Sequence, residues 1–229
     1  MDTREKLLSV STATLTTQLF KRAFRNVFIH GLRALNPRRD RVCGPAYTLR
    51  YIPAREDLDH IGVFEDRSHP QRVAIEQCPK GSVLVVDSRG DSLAASAGGI
   101  LMARLMVRGA AGFVTDGGLR DTGEIGQLDF PSYCRAASAP TNLIRHHAVG
   151  LDEPIGCGGV AVYPGDIVVG DGDGVVVIPA HLADEVADAA FEQEKFEEFV
   201  VAKVKEGRSI FGLYPPDEAT KAEYKKGAK

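Results

Sequence analysis

The stretch that most constrains this chain runs from Gly81 to Glu124 and reads as one β-α-β unit. Ser82 to Asp87 (SVLVVD) is a short, β-branched apolar run, the pattern of a buried strand. A polar, glycine-containing turn follows, after which Ile100, Leu101, Leu105 and Met106 recur at helical spacing. Gly109 stops that helix, because glycine tolerates the left-handed conformation a helix end often needs. Gly112 to Thr115 is a second strand, and Asp116-Gly117-Gly118 breaks it into a loop carrying Leu119-Arg120-Asp121. A chain organised around such a unit falls in the α/β class.

The chemistry follows from the ends of the unit. A helix starting near Gly98-Gly99 presents unpaired backbone N–H groups, and glycines let a ligand approach them closely. Such an end favours anions through the helix dipole. If the loop after the second strand returns to the same edge, Arg120 and Asp121 arrive beside those amides. Arginine holds a carboxylate in a fixed plane, and an aspartate holds a hard cation such as Mg²⁺. Spacing alone also fits an ordinary surface ion pair at Arg120-Asp121.

The same residues carry a resemblance. Gly99, twenty residues, Arg120-Asp121, two more residues and Glu124 resemble the G-X20-R-D-X2-E signature of the RraA-like and 4-hydroxy-4-methyl-2-oxoglutarate aldolase family. TDGGLRD, FPSYCRA and PGDIVVGDGDGVVVIP are similar to that family too, so the resemblance covers roughly Thr12 to Val204. It implies a mixed-sheet β/β/α sandwich, swivelling-domain-like, with N- and C-terminal helices. It also implies that Asp121 ligates a divalent metal, Mg or Mn, that Arg120 binds a 2-oxo acid, and that amides around Gly98, Gly99, Ile100 and Leu101 hold its carboxylate. In the family's aldolases the position of Gly99 is acidic and supports the metal and its water. Glycine cannot do that, so Asp87, Asp91, Asp116 or Glu124 substitutes, water fills the gap, or the chemistry differs. The family also contains a non-catalytic ribonuclease regulator. That branch tends to lack the aspartate after the arginine, which this chain keeps.

The rest of the chain fits one domain over residues 1–229, with a core over about 12–179. A net charge of -3 without a long basic run argues against nucleic acid as the main partner. No apolar run approaches the roughly 20 residues needed to span a membrane, and the charged N-terminus has no signal core. Four scattered cysteines without a C-x-x-C pair suit reduced thiols in a cytoplasmic protein. Two short helices are expected before Phe24, the second capped near Ser11, and a strand over Cys43 to Pro53. Asp57 to Pro70 reads as a polar lead into a helix around Gln71. The resemblance places Phe130 to Tyr133 near the site. His146-His147 is an acid/base candidate, although adjacent strand residues face opposite ways. Turns are expected at Tyr163-Pro164-Gly165 and across Gly170 to Gly174, the second between antiparallel strands. A long amphipathic helix over about 180–206 puts Leu182, Val186, Ala189, Ala190, Phe196, Val200 and Val204 near one face. The tail over 215–229 is polar, lysine-rich and expected to be loose.

The function expected is a divalent-metal-dependent lyase, a class II pyruvate-type aldolase or decarboxylase on a small 4-hydroxy-2-oxo acid. The alternatives are a non-catalytic RraA-type regulator that binds a ribonuclease or another protein, and a metal-dependent lyase or hydratase on sugar acids. The resemblance implies a homotrimer or a hexamer built as a dimer of trimers, with sites near subunit boundaries. Glu194 on the long helix is then a further candidate to support a neighbour's metal.

Overall fold

The computed structural model describes residues 1–227. The chain opens with α1 (Thr3–Ser9) and α2 (Thr12–Lys21). Each is started by a side chain that accepts from a first-turn amide, Asp2 from Glu5 and Ser11 from Thr14. Short strands β1 (Phe28–Ile29) and β2 (Arg33–Ala34) precede the long β3 (Val42–Pro53). Then come α3 (Pro70–Gln77), β4 (Val83–Asp87), β5 (Ala95–Ala97), α4 (Gly99–Arg108), β6 (Gly112–Thr115), β7 (Gly118–Leu119) and the single turn α5 (Thr122–Ile125). Strands β8 (Ser132–Cys134), β9 (Ala136–Ala137) and β10 (His146–Leu151) lead to the hairpin of β11 (Ile155–Cys157) and β12 (Val160–Val162). After β13 (Ile167–Asp171) and β14 (Gly174–Ile178) come helices α6 (Ala183–Lys205) and α7 (Glu218–Gly227).

The main sheet is mixed, in the order β1-β14-β13-β3-β4-β6-β8-β2, with β10 also on β3. The β-α-β unit supplies β4 and β6 at the centre of the parallel part, flanked by β3 and β8, while β13, β14 and β10 join antiparallel. β4 is buried throughout, and its side chains alternate between two apolar layers. Leu84 and Val86 pack with Met102 and Leu105 of α4 and Ala74 and Ile75 of α3. Val83 and Val85 face the other side, with Ile155, Val160 and Val162 of the hairpin. A third layer covers β13 and β14 with Leu15 and Leu19 of α2 and Val186 and Ala190 of α6. This is the mixed α/β architecture expected, with helices at both ends of the chain.

Two expectations need correction, and one element is left partly uncovered. The core begins before Thr12: Leu7 of α1 and Val10 are buried in the third layer, because α1 lies against α6. The apolar face of α6 is covered only over part of its length, and Val204 is exposed. The tail over 215–229 is not irregular chain through its described part. α7 docks on α6, with Tyr224 edge-on to Phe196 at 5.2 Å between ring centres and Arg208 paired to Glu223. Tyr224 against Phe196 and Phe199, and Glu223 between Lys203 and Arg208, anchor it, against a lysine-rich composition that suggested solvent. Ala228 and Lys229 lie outside the described residues.

Candidate functional site

Helix α4 begins at its N-cap Gly98 and ends at Gly109, which takes the left-handed conformation at φ 82. Gly98 is required by space: a Cβ there would stand 2.8 Å from Arg120 Cγ and 2.8 Å from Asp121 Oδ2. Arg120 is brought that close by a small second sheet in which β7 lies between β5 and β9. Gly118 and Leu119 pair with Ala95 and Ala97, and the Arg120 amide donates to Ala97 O at 3.2 Å. The loop after the second strand therefore does return to the helix start.

Asp121 sits in the left-handed region at φ 58. Aspartate tolerates this better than most residues, but such a conformation is held only where its surroundings fix it. Its Oδ2 accepts from the Gly99 amide at 3.0 Å and lies 3.4 Å from Arg120 Nε. That carboxylate modifies the expected anion site. The Gly99 N–H is taken, and the Leu101 and Met102 amides both donate to Gly98 O. Among the described residues the Ile100 amide is the first-turn donor left without a partner.

Gly98, Ile100, Leu101, Arg120 and Asp121 share one cleft of about 290 Å³. Its other wall was not foreseen. Phe64 comes from the segment leading into α3, Gln71 and Arg72 from the first turn of α3, and Thr141 and Asn142 from the turn before β10. No spacing rule singles these residues out, since three separate loops meet only in the folded chain. Gln71 is fixed, its Nε2 donating to Tyr51 Oη and to Ser96 O. A larger groove of about 620 Å³, mainly apolar and lined by Phe20, Phe24 and Phe28, contains none of these residues. The smaller cleft, with its convergent polar groups, is the better candidate site.

Several sequence candidates serve elsewhere. Asp116 is buried and accepts from the amides of Ser88, Gly90 and Gly158, so it ties three loops together and is not free to bind metal. Asp87 accepts from Arg89 N, and burial pushes its carboxyl above the usual range. Asp91 is paired to Arg145. Glu194 accepts from the amide and hydroxyl of Ser11, so it helps start α2 of its own chain. His146 is buried and stacks on Tyr51, while His147 faces the other way and contacts Asp59. Neither lines the cleft, nor does Tyr133, whose hydroxyl donates to Asp40 O and Asp171 O. All four cysteines are unpaired and buried, and burial pushes the Cys43, Cys78 and Cys134 thiols up to about 11. That rules against a thiolate nucleophile.

Glu124 alone among the supporting candidates stays near Asp121: its Oε2 would lie 3.4 Å from a Cβ on Gly99. No group of three His, Cys, Asp or Glu side chains able to hold a metal occurs among the described residues. A caged zinc or calcium site does not fit that donor set. A cation of the Mg²⁺ type, which keeps several waters and takes one or two carboxylates plus substrate oxygens, does fit Asp121 with Glu124 close by.

The fold and the cleft define an α/β sandwich with an Arg-Asp pair set against a helix N-terminus. The chain belongs to the RraA-like family (Aldolase/RraA), whose model matches residues 12–177. A relative from Halalkalibacterium halodurans is 35% identical over 163 residues, covering 69% of this chain and 70% of the relative. It carries the provisional name 4-hydroxy-4-methyl-2-oxoglutarate aldolase. The crystal structure of Streptomyces coelicolor RraAS2, described as an unusual member of the RNase ES inhibitor RraA family, aligns with a TM-score of 0.75 at 33% identity. That alignment covers 86% of this chain and 94% of RraAS2. An uncharacterized protein from Pseudomonas syringae shares the fold at a TM-score of 0.81 and 24% identity, covering 93% and 92% of the two chains. No helix among the described residues is long and apolar enough to cross a membrane.

Proposed function

We propose that this chain is a divalent-metal-dependent lyase that cleaves a carbon–carbon bond in a small 4-hydroxy-2-oxo acid and releases pyruvate. The observation that carries the reading is the return of Arg120-Asp121 to the start of α4, in one cleft with the unpartnered Ile100 amide. The aldolase name of the Halalkalibacterium relative agrees with it. Asp121 would hold the cation, with Glu124 within reach of its water shell, and the cation would draw electrons through the substrate's 2-oxo group. The helix start orients the substrate carboxylate, whose charge suits the α4 N-terminus and the Ile100 N–H. As the C3–C4 bond breaks, the 4-hydroxyl loses its proton to water and becomes a carbonyl. The electron pair left on C3 spreads to the 2-oxygen, where the Arg120 guanidinium faces the growing negative charge. Protonation at C3 then gives pyruvate.

A second reading, a binding protein of the same fold without turnover, is favoured by one residue. Gly99 offers no side chain at the metal edge of the cleft. Pyruvate release from a panel of 4-hydroxy-2-oxo acids, with Mg²⁺ or Mn²⁺ and with chelator, separates the two. The lyase reading expects chelator-sensitive release that Asp121→Asn abolishes with the fold intact, and a loss of about 100-fold or more for Arg120→Lys. No release from any member of the panel would hand the site to the binding-protein reading.

A further inference from the structure

Residues 55–68, which connect β3 to α3, form a strap that the lyase step leaves unused. A connection as long as this, with only a short 3₁₀ turn over Ile61–Glu65, is uncommon in a compact domain and usually carries function. Its backbone bonds stay local: the amides of Leu58 and Asp59 donate to Arg55 O, Val63 to His60 O and Asp66 to Val63 O. Leu58, Ile61, Val63 and Phe64 join none of the three apolar layers, and Ile61 is 75% exposed. The one buried residue of the strap is Asp59. Its Oδ2 accepts from Arg55 N at 2.8 Å, and its Oδ1 lies 2.9 Å from Nδ1 of His147 on β10. Further along, Phe64 lies under the Arg72 guanidinium at 4.2 Å and lines the candidate cleft. Between the strap and β10 is a cavity of about 480 Å³, lined by Leu58, Asp59, Val63, His69 and His147 among others. A segment bonded to itself, with no apolar anchor in the core, can move as a unit at little cost in buried area.

We propose that residues 55–68 are a lid on the cleft at the start of α4, latched by the hydrogen bond between Asp59 and His147. The latched strap is the closed position, in which Phe64 stands as one wall of the 290 Å³ cleft. When the latch breaks, the strap swings about its two ends. These are Ala54, whose amide stays on Arg145 O at 3.0 Å, and Pro70, the first residue of α3. Phe64 then leaves Arg72, and the cleft opens to solvent on that side. The cavity beneath the strap gives it room to move. Asp59 and His147 do not line the cleft, so they are positioning residues that act through Phe64. Closure over a filled cleft keeps water from Arg120 and Asp121, the part lids play in guarding reactive species. The lid requires the cleft to be the site, and it does not depend on which reaction runs there.

The test is hydrogen exchange by mass spectrometry on the full chain, without ligand. The amides of Leu58, Asp59, Val63 and Asp66 are expected to exchange together, slower than in an unfolded peptide and faster than those of α3 and β10. His147→Ala should speed them about tenfold, the worth of one charge-assisted hydrogen bond, and leave β4 and β6 unchanged. His147→Asn, whose amide can still donate to Asp59, should recover most of that protection. Asp59→Asn, which keeps the shape and weakens the acceptor, should give a smaller rise. A second readout reports the cleft itself. Since all four native cysteines are buried, Leu101→Cys places a single accessible thiol in the cleft. Its labelling by N-ethylmaleimide should quicken by a similar factor when His147→Ala is added. Strap amides that match β10, or that exchange at the unfolded rate in the wild type, overturn the latch, as do unchanged rates in both His147→Ala and Asp59→Asn. Faster strap exchange with unchanged labelling of Leu101→Cys overturns the lid. Neither readout uses turnover, so the lid and the lyase reading stand or fall separately.

Discussion

At the scale of single residues, burial decides which titratable groups can take part in chemistry. Asp121 and Arg120 keep exposed side chains at the mouth of the cleft, whereas Asp116 is consumed by three backbone amides. His146 shows the same logic in a pH-sensitive form. Burial, reinforced by the Arg89 guanidinium 3.2 Å from Nδ1, pushes its pKa below the usual 6.5, against smaller opposing effects from Asp91 and Asp116. The folded chain therefore holds a neutral imidazole. Below about pH 6.5 the unfolded chain takes up a proton that the folded chain refuses, so the stability His146 contributes is full above that pH and lost as pH falls towards its folded value. Thermal melts should show the wild type losing more stability than His146→Gln between pH 7.5 and 5.5. Equal losses in the two proteins would exclude His146 as a source.

The element that matters most is α4, because its first turn is shared between packing and binding. Gly98 and Gly99 look interchangeable in the sequence and differ sharply in the fold. A Cβ on Gly98 strikes Arg120 and Asp121 at 2.8 Å, while one on Gly99 meets nothing closer than Glu124 Oε2 at 3.4 Å. Gly98→Ala should push the Arg-Asp pair out of place, costing about 1–3 kcal/mol of stability by overpacking and most of the activity. Gly99→Asp should fold, with the new carboxylate at a helix N-terminus where negative charge is tolerated, and should bind Mg²⁺ more tightly in calorimetry. Unchanged or weaker Mg²⁺ binding in Gly99→Asp would place the cation away from Asp121 and Glu124.

For the whole molecule, the C-terminal region leaves a run of apolar side chains uncovered. Val201, Val204, Ile210, Phe211 and Tyr214 are exposed, Phe211 by 90%, and they cluster in sequence at the end of α6 and the turn after it. Exposed apolar groups gathered in this way mark contact surfaces more often than solvent-facing ones. Light scattering at micromolar concentration should therefore give a trimer or larger, and Phe211→Ser should shift that equilibrium towards smaller species. A monomeric wild type would remove the expected assembly.

The β-α-β unit, its parallel strands and the helix start at Gly98 were legible in the sequence because they rest on local rules. Apolar runs of strand length, helical spacing and a glycine stop act within about ten residues of one another. Arg120 and Asp121 were legible for a related reason, since they follow directly on the second strand of that unit and match a family signature. Other features depended on residues far apart in the chain. The small sheet of β5, β7 and β9 is made of two- and three-residue strands, too short to show a period, yet it sets Arg120 against α4. Which aspartate stays free was settled by which loops met: Asp116 is surrounded by amides from Ser88, Gly90 and Gly158, and Asp121 is not. Arg72 and Asn142 are separated by seventy positions and became one wall only when α3 and the turn before β10 both packed against β5. Local propensity wrote the elements, and only long-range packing could decide which polar groups were left without partners.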